Sequence, residues 1–218
     1  MIEKLKVLLV DDHTVVRAGF RMLLSSQTFI SEIMDVERGE EACQNYNNFK
    51  PDVVVMDLSM PGIGGLETIR RLIQLDIDAV VLVYSIHDEA IYVERALQAG
   101  AKGYVSKNSA AEVLAEAVSV VASGKKYIEQ GLLPEHYHNP LQNDEEKLRA
   151  VIDVLSPREF DVFCLLAKGK TAHEAAADLC LGYKTVANYS TQIKNKLNAT
   201  TAADLARIAM TLGLLKSD

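Results

Sequence analysis

Short apolar runs alternate with amphipathic stretches through the first half of the chain, and this alternation constrains the fold more than any other feature. Runs rich in valine and leucine predict five β-strands, at Leu5–Val10, Ile33–Val36, Val53–Met56, Ala79–Val83 and Gly103–Val105. Helical periodicity fills the intervals, over residues 14–25, 39–48, 64–75, 88–98 and 109–122. Strands that are apolar on both faces are typical of buried parallel sheets. Residues 1–122 therefore predict a doubly wound α/β domain with a five-stranded parallel sheet and right-handed crossovers.

The rest of the chain changes character. Residues 123–154 have no clear period and contain Gly and Pro, which predicts a linker, with a helix at its end over about 144–155. Residues 155–218 predict a small all-α domain, in which the turn at Cys180–Gly182 separates two helices in a helix-turn-helix arrangement. Three helix starts carry the pattern of a capping box, at Ser109 with Glu112, Ser156 with Glu159, and Thr171 with Glu174.

The net charge of −7 argues against nucleic-acid binding only if it is spread evenly along the chain. Residues 1–122 carry −7, residues 123–154 carry −2, and residues 155–218 carry +2, so the last domain is mildly basic. No apolar run is longer than Ala79–Tyr84, which is too short to cross a membrane, and the apolar start of the chain is too short for a signal peptide. Cysteines 43, 164 and 180 fit reduced thiols, so we expect a cytoplasmic protein.

Chemically active side chains follow four of the predicted strands. Asp11 and Asp12 follow the first, Asp57 the third, Ser85 the fourth and Lys107 the fifth. The carboxyl ends of parallel strands meet at one edge of the sheet, so these groups should converge there. Crowded carboxylates need a cation, and oxygen ligands suit Mg²⁺. Together with the lysine ammonium, such a site could stabilise phosphoryl transfer to a carboxylate nucleophile.

The segments VLLVDDH, VVVMDLSMPGIGGLE, VLVYS and AGAKGYVSK, in this order, resemble the characteristic segments of bacterial response-regulator receiver domains. The resemblance covers residues 5–122 and implies a flavodoxin-like fold with Asp57 as the phospho-acceptor. It implies Asp12 and Asp57 as direct Mg²⁺ ligands, Asp11 as a ligand through water, and the Ser59 carbonyl as a further ligand. The same resemblance implies phosphoryl-stabilising and switch roles for Lys107, Ser85 and Tyr104.

The helix predicted over Tyr183–Leu197 has two different faces. The apolar positions Val186, Tyr189, Ile193 and Leu197 form one stripe, and the opposite face is polar and partly basic. Such a face suits the major groove of DNA, but it also suits plain exposure to solvent, and the periodicity does not separate these interpretations.

Four segments of the last domain are similar to the LuxR-type helix-turn-helix domain: Leu155–Glu159, His173–Ala176, Lys184–Val186 and Lys196–Leu197. With the receiver, the chain resembles a NarL/FixJ-type response regulator over nearly its whole length. The resemblance implies dimerisation partly through Thr201–Leu212. It implies base contacts from Ala187, Asn188 and Thr191, and phosphate contacts from Lys184, Thr185, Lys194 and Lys196. Ala187 and Thr191 stand where basic residues often occur, so we expect weak DNA binding by a monomer.

We therefore predict a phosphorylation-dependent transcriptional regulator of a two-component system. A sensor histidine kinase would phosphorylate Asp57, and the phosphorylated chain would pair on promoter DNA. The chain would perform only self-phosphorylation and self-dephosphorylation, without being an enzyme that acts on other substrates. One alternative is a Mg²⁺-dependent phosphohydrolase that uses Asp57, although the usual second carboxylate two residues later is absent at Ser59. The other alternative is a receiver-controlled module that binds a protein.

Overall fold

The structure is a computed structural model that describes residues 4–133 and 153–215. The chain forms two compact units, and each is described by itself. Most of the helix expected over about 144–155 lies outside the described residues, as do positions 134–152 of the linker. Within the two described ranges, no helix is both long and apolar enough to cross a membrane.

The first unit is a parallel sheet flanked by helices, as the sequence predicts. Its strands are β1 (Leu5–Val10), β2 (Ile30–Val36), β3 (Val53–Met56), β4 (Val81–Ser85), β5 (Gly103–Ser106) and β6 (Tyr127–Ile128). The helices are α1 (Thr14–Ser25), α2 (Gly39–Phe49), α3 (Gly65–Leu75), α4 (Ala90–Ala99) and α5 (Ala111–Ala122). The strand order is β2-β1-β3-β4-β5-β6, and every neighbouring pair is parallel.

The sixth strand is a difference from the predicted five. β6 pairs with β5 through Gly103 with Tyr127 and Tyr104 with Ile128, and these residues lie in the segment predicted as linker. A strand of two residues is too short to show a period of two, so only its partner on the sheet defines it.

Alternate residues of the central strands pack on opposite faces of the sheet, which accounts for their apolar composition. On one face, Val7, Leu9, Val53, Val55 and Val105 form a buried cluster with α5. The residues that alternate with them are also buried, and on β1 and β3 they are Leu8, Val10, Val54 and Met56. Because both faces are covered, only the strand ends can present polar side chains to solvent.

The capping box predicted at Ser109 does not form. Helix α5 begins at Ala111 with Ala110 at its N-cap and no side-chain cap, one residue later than the box requires. The Ser109 hydroxyl instead donates to the carboxylate of Glu129, a residue just beyond β6. A partner distant in sequence has replaced the local one, so this local prediction was wrong.

The second unit is helical, as predicted. Its helices are α6 (Pro157–Ala167), α7 (Ala172–Asp178), α8 (Tyr183–Lys196) and α9 (Ala202–Thr211). The capping boxes at Ser156 and Thr171 are both confirmed, and Thr201 with Asp204 forms another. A short turn joins α7 to α8, and Cys180 in this turn has a positive φ of 50°. Val186 and Ile193 of α8 are fully buried, which confirms the predicted apolar stripe.

Candidate functional site

Three carboxylates meet at the carboxyl edge of the sheet. Asp11 and Asp12 follow β1, and Asp57 follows the neighbouring β3. The backbone N–H of Asp57 donates to the carbonyl of Val10, the last residue of β1, at 2.9 Å. One ligand atom from each carboxylate and from His13 lies within 4.8 Å of the others. Asp11 and Asp57 are buried. The adjacency of β1 and β3 thus brings together residues that are far apart in sequence.

Lys107 reaches the same carboxylates from the loop after β5. Its Nζ lies 2.6 Å from Asp11 Oδ2 and 2.8 Å from Asp57 Oδ2. Its backbone N–H donates to the Ser85 carbonyl at 2.7 Å, which fixes the loop against β4. The Lys107 side chain is only 10% exposed, so the attraction of its ammonium to the carboxylates is weakly screened by solvent. The predicted convergence of Asp11, Asp57 and Lys107 is observed.

The protonation equilibria reflect this crowding. Burial raises the pKa of the Asp57 carboxyl, and the neighbouring Lys107 ammonium offsets this only in part. For Lys107, burial acts to lower the pKa, but attraction to Asp57 and Asp11 outweighs it and raises the pKa. Because burial disfavours the charged carboxylate, a further cation beside it would favour the ionised form of Asp57.

The donor set suits a hard cation. Asp12 Oδ1 is buried and accepts no hydrogen bond from the described residues, although His13 Nδ1 lies 3.0 Å away. Carboxylate oxygens of this kind are ligands that Mg²⁺ accepts. The carboxylates of Asp11, Asp12 and Asp57 therefore fit a metal site, in which Asp12 Oδ1 could bind the ion without breaking a hydrogen bond.

The two expected switch residues are both buried. Ser85 ends β4, and its hydroxyl accepts the backbone N–H of His87 at 3.3 Å. Tyr104 lies on β5 with its ring fully buried, and its hydroxyl donates to the His87 carbonyl at 2.6 Å. Both residues therefore contact the loop that follows β4.

Three residues around the site were not assigned a role from the sequence. Arg17 is buried and donates from Nη1 to the Asp11 carbonyl at 2.6 Å, which fixes the backbone of the first carboxylate. His13 Nδ1 lies 3.1 Å from Asp11 Oδ1, and His87 Nε2 lies 2.8 Å from Ser59 Oγ. The helical periodicity places Arg17 on α1 but does not identify its partners, the Asp11 carbonyl and the Glu37 carboxylate, because both are set by the tertiary structure.

Gly65, the first residue of α3, lets the backbone of Asp57 and Leu58 pack closely against the start of this helix. A Cβ at this position would lie 2.2 Å from the Asp57 carbonyl oxygen and 2.5 Å from Leu58 Cα, so the backbone would have to move. We expect Gly65→Ala to lower the free energy of unfolding by about 1–3 kcal/mol, because overpacking of this size is destabilising. Urea denaturation would measure the change. Gly19→Ala is the matched control, since nothing lies within 4 Å of a Cβ there. Equal stabilities of the two variants would contradict this role for Gly65.

Helix α8 presents the residues expected to face DNA. Lys184, Thr185, Asn188 and Thr191 are exposed, whereas Ala187 and Lys194 are partly buried. The opposite stripe packs inward, with Val186 and Ile193 fully buried and Leu197 nearly so. At the helix start, the Tyr183 ring stacks on His173 of α7, with ring centroids 4.1 Å apart, and this contact joins the two helices of the motif.

Lys196 is placed differently from the other lysines of α8. Its Nζ donates to Glu159 Oε2 at 2.6 Å and to the Val154 carbonyl at 3.2 Å. The Glu159 side chain is only 3% exposed and also accepts the Ser156 N–H of its capping box at 2.7 Å. The ammonium predicted to meet a phosphate thus binds a buried carboxylate within its own domain.

The fold and the site define a receiver joined to a helix-turn-helix domain, and comparison with known proteins agrees. Residues 7–119 match the response regulator receiver domain, and residues 153–209 match the bacterial regulatory proteins of the luxR family. The transcriptional activator protein ExaE of Pseudomonas putida is 40% identical over 210 residues, covering 96% of this chain and 98% of that protein. The response regulator UvrY of Escherichia coli K12 is 34% identical over 214 residues, covering 98% and 97%.

A solved structure is similar to part of the chain. The two-component response regulator of the LuxR family from Aurantimonas sp. SI85-9A1 superposes with a TM-score of 0.58 at 33% identity, covering 60% of this chain and 93% of that one. The chain therefore belongs to the response regulators that join a receiver domain to a LuxR-family DNA-binding domain. It is a DNA-binding transcriptional regulator, which confirms the prediction from the sequence. The match to a DNA-binding family disfavours both the hydrolase and the protein-binding module.

Proposed function

We propose that a sensor histidine kinase phosphorylates Asp57 and that this modification controls binding of the chain to promoter DNA. The observation that carries the proposal is the position of Asp57, a buried carboxylate at a strand end with the Lys107 ammonium 2.8 Å from its Oδ2. Carboxylate nucleophiles of this kind form aspartyl phosphates. The family of the chain supports the same role, because the receiver match spans the whole site.

In the transfer, a carboxylate oxygen of Asp57 forms a bond to phosphorus while the bond from phosphorus to the donor nitrogen breaks. The donor histidine leaves with the electron pair of that bond, and an acyl phosphate remains on Asp57. Lys107, whose Nζ lies 2.8 Å from Asp57 Oδ2, would neutralise charge on the phosphoryl oxygens, which is a main catalytic requirement of phosphoryl transfer. The chain would thus contribute catalytic side chains only to the modification of its own Asp57.

The carboxylates of Asp11, Asp12 and Asp57, with the Ser59 carbonyl, would hold Mg²⁺. Asp12 and Asp57 would bind it directly, and Asp11 would bind it through water. When bound, the ion would neutralise charge on the transferred group and on the crowded carboxylates. Asp12 Oδ1, which is buried and accepts no hydrogen bond from the described residues, and the raised pKa of Asp57 both favour this assignment.

Phosphorylation would act through the loop after β4. The Ser85 hydroxyl can turn from the His87 N–H toward a phosphoryl oxygen, and Tyr104 would then exchange its bond to the His87 carbonyl. Such an exchange shifts the balance between two arrangements of the receiver. His87 is the common element, because both switch residues bond to its backbone.

Helix α8 would read DNA from the major groove. Asn188, Ala187 and Thr191 would face the bases, while Lys184, Thr185 and Lys194 would meet phosphates. The sequence also predicted a phosphate contact for Lys196, whose ammonium here binds Glu159. The domain from 155 to 218 carries only +2, so a single copy would bind weakly. Pairing through Thr201–Leu212, where Met210 is 53% exposed, would double the contacts and set a two-fold site.

Two substitutions on α8 test the DNA-binding face, with acetyl phosphate as the phosphodonor. We expect Lys184→Ala to weaken binding to all sequences and to reduce the slope of log K against log salt by about 0.9. Asn188→Ala should instead relax preference at one base pair, costing about 1–3 kcal/mol of discrimination. Affinities are measured by fluorescence anisotropy on DNA selected from the genome.

Lys125→Ala is the matched control, since this exposed lysine lies on the first unit and loses the same charge. It should leave both the affinity and the salt slope unchanged. If neither α8 substitution alters binding, helix α8 does not read DNA. If the selected DNA binds equally well with and without the phosphodonor, phosphorylation does not control binding.

A further inference from the structure

The segment after β6 is bonded to the sheet at the strand that carries the switch aromatic. The backbone N–H of Glu129 donates to the Tyr104 carbonyl at 3.0 Å, which continues the pairing of β5 with β6 by one residue. The side chain of Glu129 then extends to the end of β5. Its Oε2 accepts the Ser106 N–H at 2.8 Å, and its Oε1 accepts the Ser109 hydroxyl.

These two hydrogen bonds enclose Lys107, since Ser106 and Ser109 lie on either side of it. On its other side, the loop that carries Lys107 contacts the phospho-acceptor site. Lys107 Nζ lies 2.6 Å from Asp11 Oδ2 and 2.8 Å from Asp57 Oδ2. The loop also closes on itself, because the Asn108 N–H donates to Ser106 Oγ at 3.2 Å. The position of the ammonium is thus determined by contacts on both sides of the loop.

Glu129 accepts both of these hydrogen bonds, so its loss would remove both. Ser106 is 5% exposed, so its N–H would lose its partner without gaining water, and a buried unpaired donor is costly. Ser109 would otherwise serve as the N-cap of α5, but α5 begins at Ala111 without a side-chain cap. The failure of that capping box shows that the hydroxyl is committed to Glu129.

We propose that Glu129 is a positioning residue that couples phosphorylation of Asp57 to the docking of β6 on the sheet. The proposal rests on the role of Asp57 given above. Glu129 fixes the loop so that the Lys107 ammonium is directed into the site, and phosphoryl oxygens that bind Lys107 hold the loop more firmly. The loop in turn holds Glu129 and β6, so the modification strengthens the attachment of the segment that leads to the DNA-binding domain. Because coupling is reciprocal, loosening β6 weakens the site.

The first test follows the phosphorylation of Asp57 by acetyl phosphate and Mg²⁺, using the intact mass of the full chain. Glu129→Ala should lower the rate at saturating acetyl phosphate about tenfold, because a misplaced lysine stabilises the transferring group less. The concentration for half-maximal rate should stay unchanged. Glu129→Gln should recover part of the rate, since its amide can still bond both partners. Glu116→Ala, an exposed glutamate of α5, is the control and should match the wild type.

The second test measures hydrogen exchange with and without beryllofluoride, a phosphoryl mimic. In the wild type and in Glu116→Ala, beryllofluoride should slow exchange of the amides of Ser106 and of residues 127–129. In Glu129→Ala, beryllofluoride should still slow amide exchange around the phospho-acceptor site, but it should not slow exchange of the amides of residues 127–129. Ser109→Ala, which removes one of the two bonds without a change of charge, should give an intermediate result.

The outcomes separate this inference from the proposed function. If the wild type is phosphorylated but Glu129→Ala reacts at the same rate and transmits the same protection, the coupling through Glu129 is overturned and Asp57 keeps its role. If the wild type is not phosphorylated at all, the role of Asp57 fails first, and the inference fails with it.

Discussion

Asp57→Asn is expected to abolish phosphorylation of the chain, because the amide nitrogen and oxygen that replace the carboxylate are not nucleophiles for phosphorus. Wild-type protein incubated with acetyl phosphate and Mg²⁺ should gain one phosphoryl group by intact mass, as acetate leaves with the electrons of the broken bond. The variant should gain none. Asn keeps the shape of the side chain and also relieves repulsion with Asp11, which contributes to the raised pKa of Asp57. The fold of the variant should therefore survive.

Asp78→Asn is the control for the loss of one carboxylate, since Asp78 is exposed in the segment before β4 and away from the carboxyl edge. It should be phosphorylated like the wild type. A phosphorylated Asp57→Asn chain would move the acceptor to another carboxylate. Peptide mapping would then distinguish Asp11 from Asp12, the two other carboxylates of the cluster.

Lys196→Met is expected to destabilise the DNA-binding domain without removing a phosphate contact. Its Nζ lies 2.6 Å from Glu159 Oε2, and loss of the ammonium leaves that nearly buried carboxylate with its capping bonds alone. Breaking a fully buried pair costs about 3–5 kcal/mol. Because the lysine side chain is 40% exposed, we expect Lys196→Met to lower the free energy of unfolding by about 2 kcal/mol in urea denaturation. A double-mutant cycle with Glu159→Gln would show how much of this loss comes from the pair.

The salt dependence of DNA binding distinguishes the two roles of this lysine. If Lys196 only positions the helix, Lys196→Met should weaken binding but keep the slope of log K against log salt. Lys194→Met is the matched control, since it lies two positions earlier on α8 and is proposed to meet a phosphate. Its slope should fall by about 0.9. A fall of that size for Lys196→Met would place Lys196 on a phosphate, as the resemblance implied.

The pH dependence of stability gives a second measurement on the same pair. Burial acts to raise the pKa of Glu159, but hydrogen bonds from Lys196 and Ser156 outweigh it and lower the pKa below its ordinary value of 4.5. A carboxyl with a lowered pKa stabilises the fold above its unfolded pKa, and this stability is lost as the pH falls through the folded pKa. The stability difference between wild type and Lys196→Met should therefore narrow below about pH 4.5. A constant difference would contradict the ion pair.

Much of the fold was predictable because its signals are local. Three helices begin or end within a residue or two of the sequence boundaries, at Thr14–Ser25, Gly39–Phe49 and Gly65–Leu75. Two capping boxes were found at Ser156 and Thr171, where the partner lies three residues away. The boundary of β4 was less accurate, since the strand runs from Val81 to Ser85 and not from Ala79 to Val83.

The candidate site was predictable for a different reason. In a parallel sheet, every strand ends at the same edge, so polar residues directly after apolar runs converge whatever their separation in sequence. Asp11 and Lys107 are 96 positions apart and lie 2.6 Å from each other. The sequence alone determined the central strands, the side chains at their carboxyl ends and the two-faced helix α8, because apolar runs and helix period are encoded in neighbouring residues.

Only the tertiary structure decided which partner each polar side chain takes. Ser109 bonds to Glu129, 20 positions away, in place of capping its own helix. Lys196 bonds to Glu159, 37 positions away, in place of extending outward from α8. β6 exists only because Tyr127 and Ile128 lie beside β5. In each case the local pattern leaves the partner open, and the one that forms is the group that the packed backbone brings within hydrogen-bond distance.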